Sequence, residues 1–332
     1  MPQRIRTTRA ALMAGIALSM AGVGIAQQGP VATMFADDQK RDAFLASSFA
    51  TVDLPASRAA EEPLHVLFSA GDLERAFDRA EFRPDAAIVP TNTDLQIAAA
   101  SPATQQVLFA RVRKQADAMG AVERQIATRR TQPPANGAEP GLLRIGVDAF
   151  TLQLAPAGAG QSPATFPKAA CLVATDFVNG GAVDRRELFV QDRMRQGIAA
   201  CLDALDAAGA RSLVVPLMGA GSAKVQTNDA MYEGQRALKE CRLINSTAGI
   251  ALGIHDFAAR RRNLREIGVV QWEEDLVDMF KVPPGSRAER SAQAAYRLYA
   301  EQVAGAFRRG LSGQKTTPGD LRGNCSAILN GK

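Results

Sequence analysis

The residues best suited to hold a ligand sit where short apolar runs end. The foremost stretch is Gly219-Ala220-Gly221-Ser222, which follows the run Leu213 to Leu217 and precedes Lys224. Gly219 and Gly221 open backbone dihedrals closed to other residues and let a ligand approach without meeting a Cβ. Successive N–H groups in such a turn can form a concave nest for an anion, usually phosphate. Two earlier runs end the same way, one at Gly71-Asp72 and one at Thr91-Asn92-Thr93-Asp94. Asp72, Asn92 and Asp94 add carboxylate and amide groups that can orient a polar ligand or a water.

Other chemistries fit less well. Lys224 stands where a dinucleotide fingerprint needs its third glycine, and the spacing is not that of a Walker loop. A Ser222, His255, Asp256 triad lacks the Gly-x-Ser-x-Gly elbow, and adjacent residues on a strand point to opposite sides. With two histidines and four cysteines at long spacing, the chain offers no structural zinc motif. The cluster Arg260-Arg261-Arg262 with Arg265 reads as a solvated face, or as an attractor of phosphate at a pocket rim.

These residues need elements to position them. Runs at 64–68, 86–89, 146–154, 170–178, 213–217 and 249–254 read as strands, several of them buried on both faces. Helices are predicted at 73–80, 102–119, 186–208 and from Asn228 to about Glu240. Gly120 and Gly209 stand at stop positions for the second and third of these. Alternating strands and helices imply an α/β fold whose sheet is covered on both faces. Ligands in such folds bind outside the carboxyl ends of the strands. Ser286-x-x-Glu289 is a capping box opening a further helix through Tyr296, Tyr299, Val303 and Phe307 to Gly310.

The order of the three strand-end signals resembles the macro domain, an α/β module that binds ADP-ribose and related nucleotides. In that family a Gly-Asp pair follows an early strand, and an Asn-Thr-x-Leu-like turn ends the next. A late strand then runs into Gly-x-Gly-Ser, as Val214-Val215-Pro216-Leu217-Met218-Gly219-Ala220-Gly221-Ser222 does here. The resemblance covers residues 62–258 and implies a three-layer α/β/α mixed sheet. It implies that Asp72 faces the adenine amino group, that Asn92 lies near the distal ribose, and that Gly219, Ala220, Gly221 and Ser222 wrap a diphosphate. Phe257 would stack on adenine, because aromatic faces suit bases; the alternative is a core aromatic.

One departure bears on catalysis. Family members that bind or hydrolyse ADP-ribose carry a Gly-Gly-Gly-Val-like loop soon after the Asn, whereas this chain has Gln96-Ile97-Ala98-Ala99-Ala100-Ser101. Alanines deny the close backbone approach that glycines allow. Binding of an ADP-ribose-like nucleotide diphosphate without turnover therefore follows more naturally. Two readings remain beside it: an ADP-ribosyl hydrolase in which Asn92 or Asp94 positions a water, and a degenerate interaction or envelope-structural module. No cofactor is implied.

The amino terminus carries Arg4, Arg6 and Arg9, an apolar stretch from Ala10 to Ile25, and a small-residue exit at Gly24-Ile25-Ala26. These are the parts of a secretory signal peptide, so 1–26 is expected to be cleaved and the protein exported, periplasmic or secreted, without a membrane span. Removing those arginines lowers the net charge from +5 to +2, too little to argue for nucleic acid. Residues 27–61 read as a polar lead-in, 62–258 as the α/β domain, and 259–332 as a helical extension and tail. Cys171 and Cys201 read as buried small hydrophobes. Cys241 and Cys325 read as a disulfide pinning the tail, in a compartment that permits one.

Overall fold

The protein is described from a computed structural model, which covers residues 51–56, 61–71, 84–91, 95, 103–114, 118–132, 143, 147–154, 168–174, 191–218, 229–272 and 288–329. Strands β1 (Thr51–Leu54), β2 (Leu64–Gly71) and β3 (Ala86–Thr91) come first, followed by helices α1 (Ala103–Arg113) and α2 (Ala118–Thr131). Strands β4 (Ala149–Gln153) and β5 (Ala169–Ala174) precede α3 (Gln191–Ala207), and β6 (Ser212–Pro216) precedes α4 (Asp229–Ala258). Strand β7 (Glu266–Trp272), α5 (Ala288–Leu311), a 3₁₀ turn at Pro318–Asp320 and α6 (Gly323–Leu329) complete the chain.

The strands form one seven-stranded sheet in the order β1-β2-β7-β6-β3-β5-β4. The five inner strands are parallel, and β1 and β4 close the edges antiparallel. Alternation along the strands sends side chains to two separate cores. Ile88, Cys171, Val215 and Val269 meet α3, α4 and α5 on one face. Val89, Leu172, Val214 and Val270 meet α1 and α2 on the other. Every position of β3 and β5 is buried, and all but Thr91 are apolar, as a strand covered on both faces requires. The architecture is a three-layer α/β/α fold around a mixed sheet.

Several expectations change. The run Gly249 to Ile254 is not a strand but the buried middle of the 30-residue α4. A short apolar run bounded by polar residues does not distinguish the two states. Packing decides it, since α4 is wedged between the sheet, α3 and α5. Gly249 and Gly253 bring it so close to α3 that a Cβ would stand 2.7 Å from the Met194 Cβ and 2.9 Å from the Arg195 carbonyl oxygen, respectively. Its buried polar groups bond back along the helix: Asn245 Nδ2 donates to the Cys241 carbonyl, and Thr247 Oγ1 donates to that of Leu243.

The strand lost from the sheet in this way is replaced by β7, third in the sheet order, in the stretch after 259 that the sequence predicts to be helical extension and tail. The sheet also reaches upstream of 62, where β1 from the expected lead-in pairs with β2. The single helix predicted over 102–119 is two helices, with Gly120 inside the second. Burial of Ala118, Val122 and Ile126, four residues apart, outweighs the glycine's poor propensity. The helix predicted from 186 is described from Gln191 and ends at Ala207, and Gly209 just beyond it has a φ of +82°, which suits a residue that terminates a helix. Tyr296, Tyr299, Val303 and Phe307 line the buried side of α5, and the Phe307 ring lies 4.7 Å from that of Phe68 on β2.

All four cysteines are paired. Cys241 joins Cys325, tying α4 to α6 across 84 residues of sequence. Cys171 and Cys201, expected as free buried thiols, form a second disulfide between β5 and α3. Side chains facing each other across a strand–helix contact were within bonding reach, which sequence spacing does not reveal. No helix among the described residues is long and apolar enough to cross a membrane.

Candidate functional site

The carboxyl ends of β2, β7, β6, β3 and β5 share one edge of the sheet. Gly71 is level with Trp272, Thr91 with Ala174, and Pro216 with Val270. The connection after β3 leads to α1 on one face, and the connection after β6 leads to α4 on the other. The crevice between neighbouring strands whose connections part this way is where α/β sheets bind ligands.

The β3–β6 ladder is short. Pairing between these strands stops after Ala86↔Leu213 and Ala87↔Val214. The Asp85 carbonyl accepts from Lys168 beside β5, so alternate residues Ala86, Ile88 and Pro90 turn toward β6. Leu217 donates its N–H to Val270 on β7, so its neighbour Pro216 turns toward β3. The next two ladder bonds would need N–H groups from Pro216 and then from Pro90. Neither residue has one, so the parallel ladder ends and the strands are free to diverge toward their carboxyl ends.

The flanks of the crevice are pinned. Leu217 and Met218 are buried at the foot of the segment that begins at Gly219. Across the seam, Thr91 is buried, and its hydroxyl has no hydrogen-bond partner among the described residues. Four residues on, Leu95 adopts φ +54°, a conformation that costs a branched side chain about 1–2 kcal/mol. It is held there by full burial against α1 and α2 and by Arg130, whose Nη2 donates to the Leu95 carbonyl at 3.3 Å. The chain between these two fixed points is Asn92-Thr93-Asp94. Strained, over-determined backbone of this kind clusters at ligand sites. On β7, Gln271 is buried and accepts from the Tyr299 hydroxyl at 2.7 Å, a polar pair inside the sheet near the same edge.

Asp72, Asn92, Asp94, Gly219, Ala220, Gly221, Ser222 and Lys224 lie outside the described residues, as does the glycine-free stretch 96–101. Each of the three signals follows directly on a strand that ends at this edge.

Phe257 does not belong to the site. It lies in the last turn of α4, 1% exposed, within the core. It lost its expected position because the strand that was to carry it is helix. His255 and Asp256 form no triad: His255 Nδ1 is 2.9 Å from the Leu311 carbonyl, and the Asp256 carboxylate makes a two-pronged pair with Arg195. That pair raises the pKa of the Arg195 guanidinium.

The arginine cluster lies at the opposite, amino-terminal edge of the parallel strands and is structural. Arg260 binds Asp203 through two 2.7 Å bonds, and Arg265 binds Glu62 at 2.9 Å. Arg261 is fully buried and donates to the Glu62 carbonyl; burial first, then the charge of Arg265, pushes its pKa down. The turn that follows folds onto Asp206, whose carboxylate accepts the N–H groups of Arg262, Asn263 and Leu264 at 2.7–2.9 Å. Among the described residues there is no group of side chains that could hold a metal ion.

Sequence reasoning missed the short β3–β6 ladder. Pro90 and Pro216 were visible as prolines within apolar runs, but their facing directions depend on a register that only the folded sheet fixes.

No protein-family model matches this chain, and no curated protein matches it by sequence. Among solved structures, the Oceanobacillus iheyensis macrodomain with ADP is similar over 75% of this chain and 97% of its own, at 9% identity and a TM-score of 0.37. A tomato leucine aminopeptidase K354E mutant is similar over 76% of this chain and 37% of its own, at 13% identity and a TM-score of 0.32. Scores this low carry neither fold nor activity to the chain, whose architecture rests on its own topology.

Proposed function

We propose that this is an exported, macro-like α/β protein that binds ADP-ribose or a related nucleotide diphosphate at the carboxyl edge of its sheet. One observation carries the reading: pairing between β3 and β6 stops after Ala87↔Val214 where their connections lead to opposite faces of the sheet, and these are the strands that run into Asn92 and into Gly219–Ser222. A glycine turn after β6 supplies N–H groups for a diphosphate. Asn92, following β3, supplies an amide for a ribose, and Asp72, following β2, a carboxylate for the adenine amino group. These roles come from the macro-domain resemblance of the sequence.

Export is part of the proposal. Two disulfides that leave no described cysteine free fit an oxidising compartment, as does the arginine-led apolar amino terminus. The alanine-rich segment 96–101 favours binding over hydrolysis, for the reason given above.

Isothermal titration of the purified protein with ADP-ribose, ADP and NAD tests the reading. Saturable heat is expected with ADP-ribose, reduced about tenfold or more by Gly221→Glu, which sets a carboxylate against the diphosphate. Absence of heat from all three, with the protein shown folded, would refute it.

A further inference from the structure

A second cleft lies away from the crevice, between α2 and the outer edge of β4. It has a volume of about 440 Å³ and is lined by one face of α2 from Ala121 onward and by Gln132 just past its end, together with Phe150 and Thr151 of β4. Eleven residues of helix span about 16 Å, which matches four to five residues of extended chain.

Among the described strands, β4 is paired on one side only. Leu154 donates to Lys168 beside β5, so in the antiparallel ladder Gln153, Thr151 and Ala149 turn their N–H and C=O groups outward. At Gln153 those groups are already engaged as a neighbouring strand would engage them. The Gln125 side-chain amide donates to the Gln153 carbonyl at 2.8 Å and accepts its N–H at 2.9 Å. No described residue pairs with the outward groups of Thr151 and Ala149, the next two positions along the edge.

The charge in the cleft is one-sided. Arg124 and Arg129 line it with no acidic partner among the described residues and no acid among the lining residues, and Arg129 Nη1 is buried with no acceptor among the described residues. A buried guanidinium N–H without an acceptor in a native fold calls for one. Phe150 adds an apolar wall, packed at the margin of the core under α2.

We propose that this cleft docks a short, extended, acidic segment of another protein by strand addition to β4. The backbone of the segment pairs with Thr151 and Ala149, its carboxylates meet Arg124 and Arg129, and an apolar side chain rests on Phe150. A groove between an edge strand and a neighbouring helix is the geometry in which strand addition joins backbone pairing to side-chain selection. Gln125 marks one end of the groove and sets the register. The proposal involves none of the residues assigned to the nucleotide reading, so each stands or falls separately.

The probe is a fluorescein-labelled hexapeptide with glutamate, valine and glutamate at positions 1, 3 and 5, which share one face of an extended chain, and threonine between them, titrated against the full protein by fluorescence polarisation. Saturable binding is expected. N-methylation of the peptide amides that face the strand should weaken it about tenfold or more, because two backbone bonds are lost. Replacing glutamate with lysine should abolish it, and Arg124→Gln with Arg129→Gln should weaken it about tenfold. Failure of the glutamate peptide to saturate overturns the proposal. Equal binding of the N-methylated peptide also overturns it, showing an anion site rather than a strand-pairing groove; that arm uses the unaltered protein.

Discussion

Replacing Pro216 with alanine gives the β3–β6 seam the donor it lacks. In the observed register, a new N–H at position 216 meets the carbonyl of Ile88 and carries the ladder one step past Ala87↔Val214. One backbone hydrogen bond contributes about 0.5–1.5 kcal/mol net. Loss of the proline's restraint on the unfolded chain subtracts about 0.4–1 kcal/mol. Global stability should therefore stay within about 1 kcal/mol of the parent. The crevice responds more strongly, because the new bond acts only on its closed form. A bias of about 1 kcal/mol toward closure lowers the binding-competent fraction, and the affinity of a crevice ligand, about fivefold. Native-state hydrogen exchange reads the bond directly, and an ADP-ribose titration reads its consequence. The expected outcome is a protected amide at position 216 with weakened binding and a nearly unchanged denaturation midpoint. An amide at 216 that exchanges like an exposed loop, with affinity unaltered, would show that packing and not the missing donor parts the strands.

Further outcomes follow from the scaffold. Asp206→Ala strips the acceptor from three N–H groups, that of buried Leu264 among them, and should lower stability by about 3 kcal/mol, or about 6–12 °C in Tm by calorimetry. Gly253→Ala drives a Cβ to 2.9 Å from the Arg195 carbonyl and should lower stability by about 1–2 kcal/mol in denaturant melts. Gly120→Ala, which meets only the flexible end of Arg124 at 3.4 Å, should raise it by up to about 1 kcal/mol. Asp320 accepts the N–H and the hydroxyl of Thr317, each at 2.7 Å, and these bonds hold its carboxyl below its ordinary pKa. Its contribution is present above about pH 4 and lost as pH falls through the lowered value, so Asp320→Asn should flatten the acid limb of Tm against pH.

The strands that frame the site were legible because each is a short β-branched or apolar run ended by a glycine or an Asx-rich turn. Burial of β3 and β5 on both faces left that pattern uninterrupted. Helix α3 was legible from Met194, Ile198, Cys201, Leu202 and Leu205, which all face the core. The run Gly249 to Ile254 misled because a helix enclosed on every side has no polar stripe to betray its period. Reading it as a strand filled the sheet too early, so Ile267, Val269 and Val270 were passed over as extension, and Phe257 was assigned to a ligand. The clustered arginines at 260–265 read from sequence as a solvated face or an attractor of phosphate, and neither reading contains Asp203, Asp206 and Glu62, which meet this segment across long sequence distances. Partners far apart in sequence decide whether a charge is structural or free, and for an apolar run enclosed on every side they decide the type of the element as well.

The central claim is that a nucleotide diphosphate occupies the crevice between the carboxyl ends of β3 and β6. A crystal of the protein soaked with ADP-ribose tests it most directly. The account predicts diphosphate density against the segment that follows Met218, with the distal ribose beside the segment that follows Thr91. Fully occupied ligand elsewhere on the protein, or an empty crevice at saturating ADP-ribose, would contradict it.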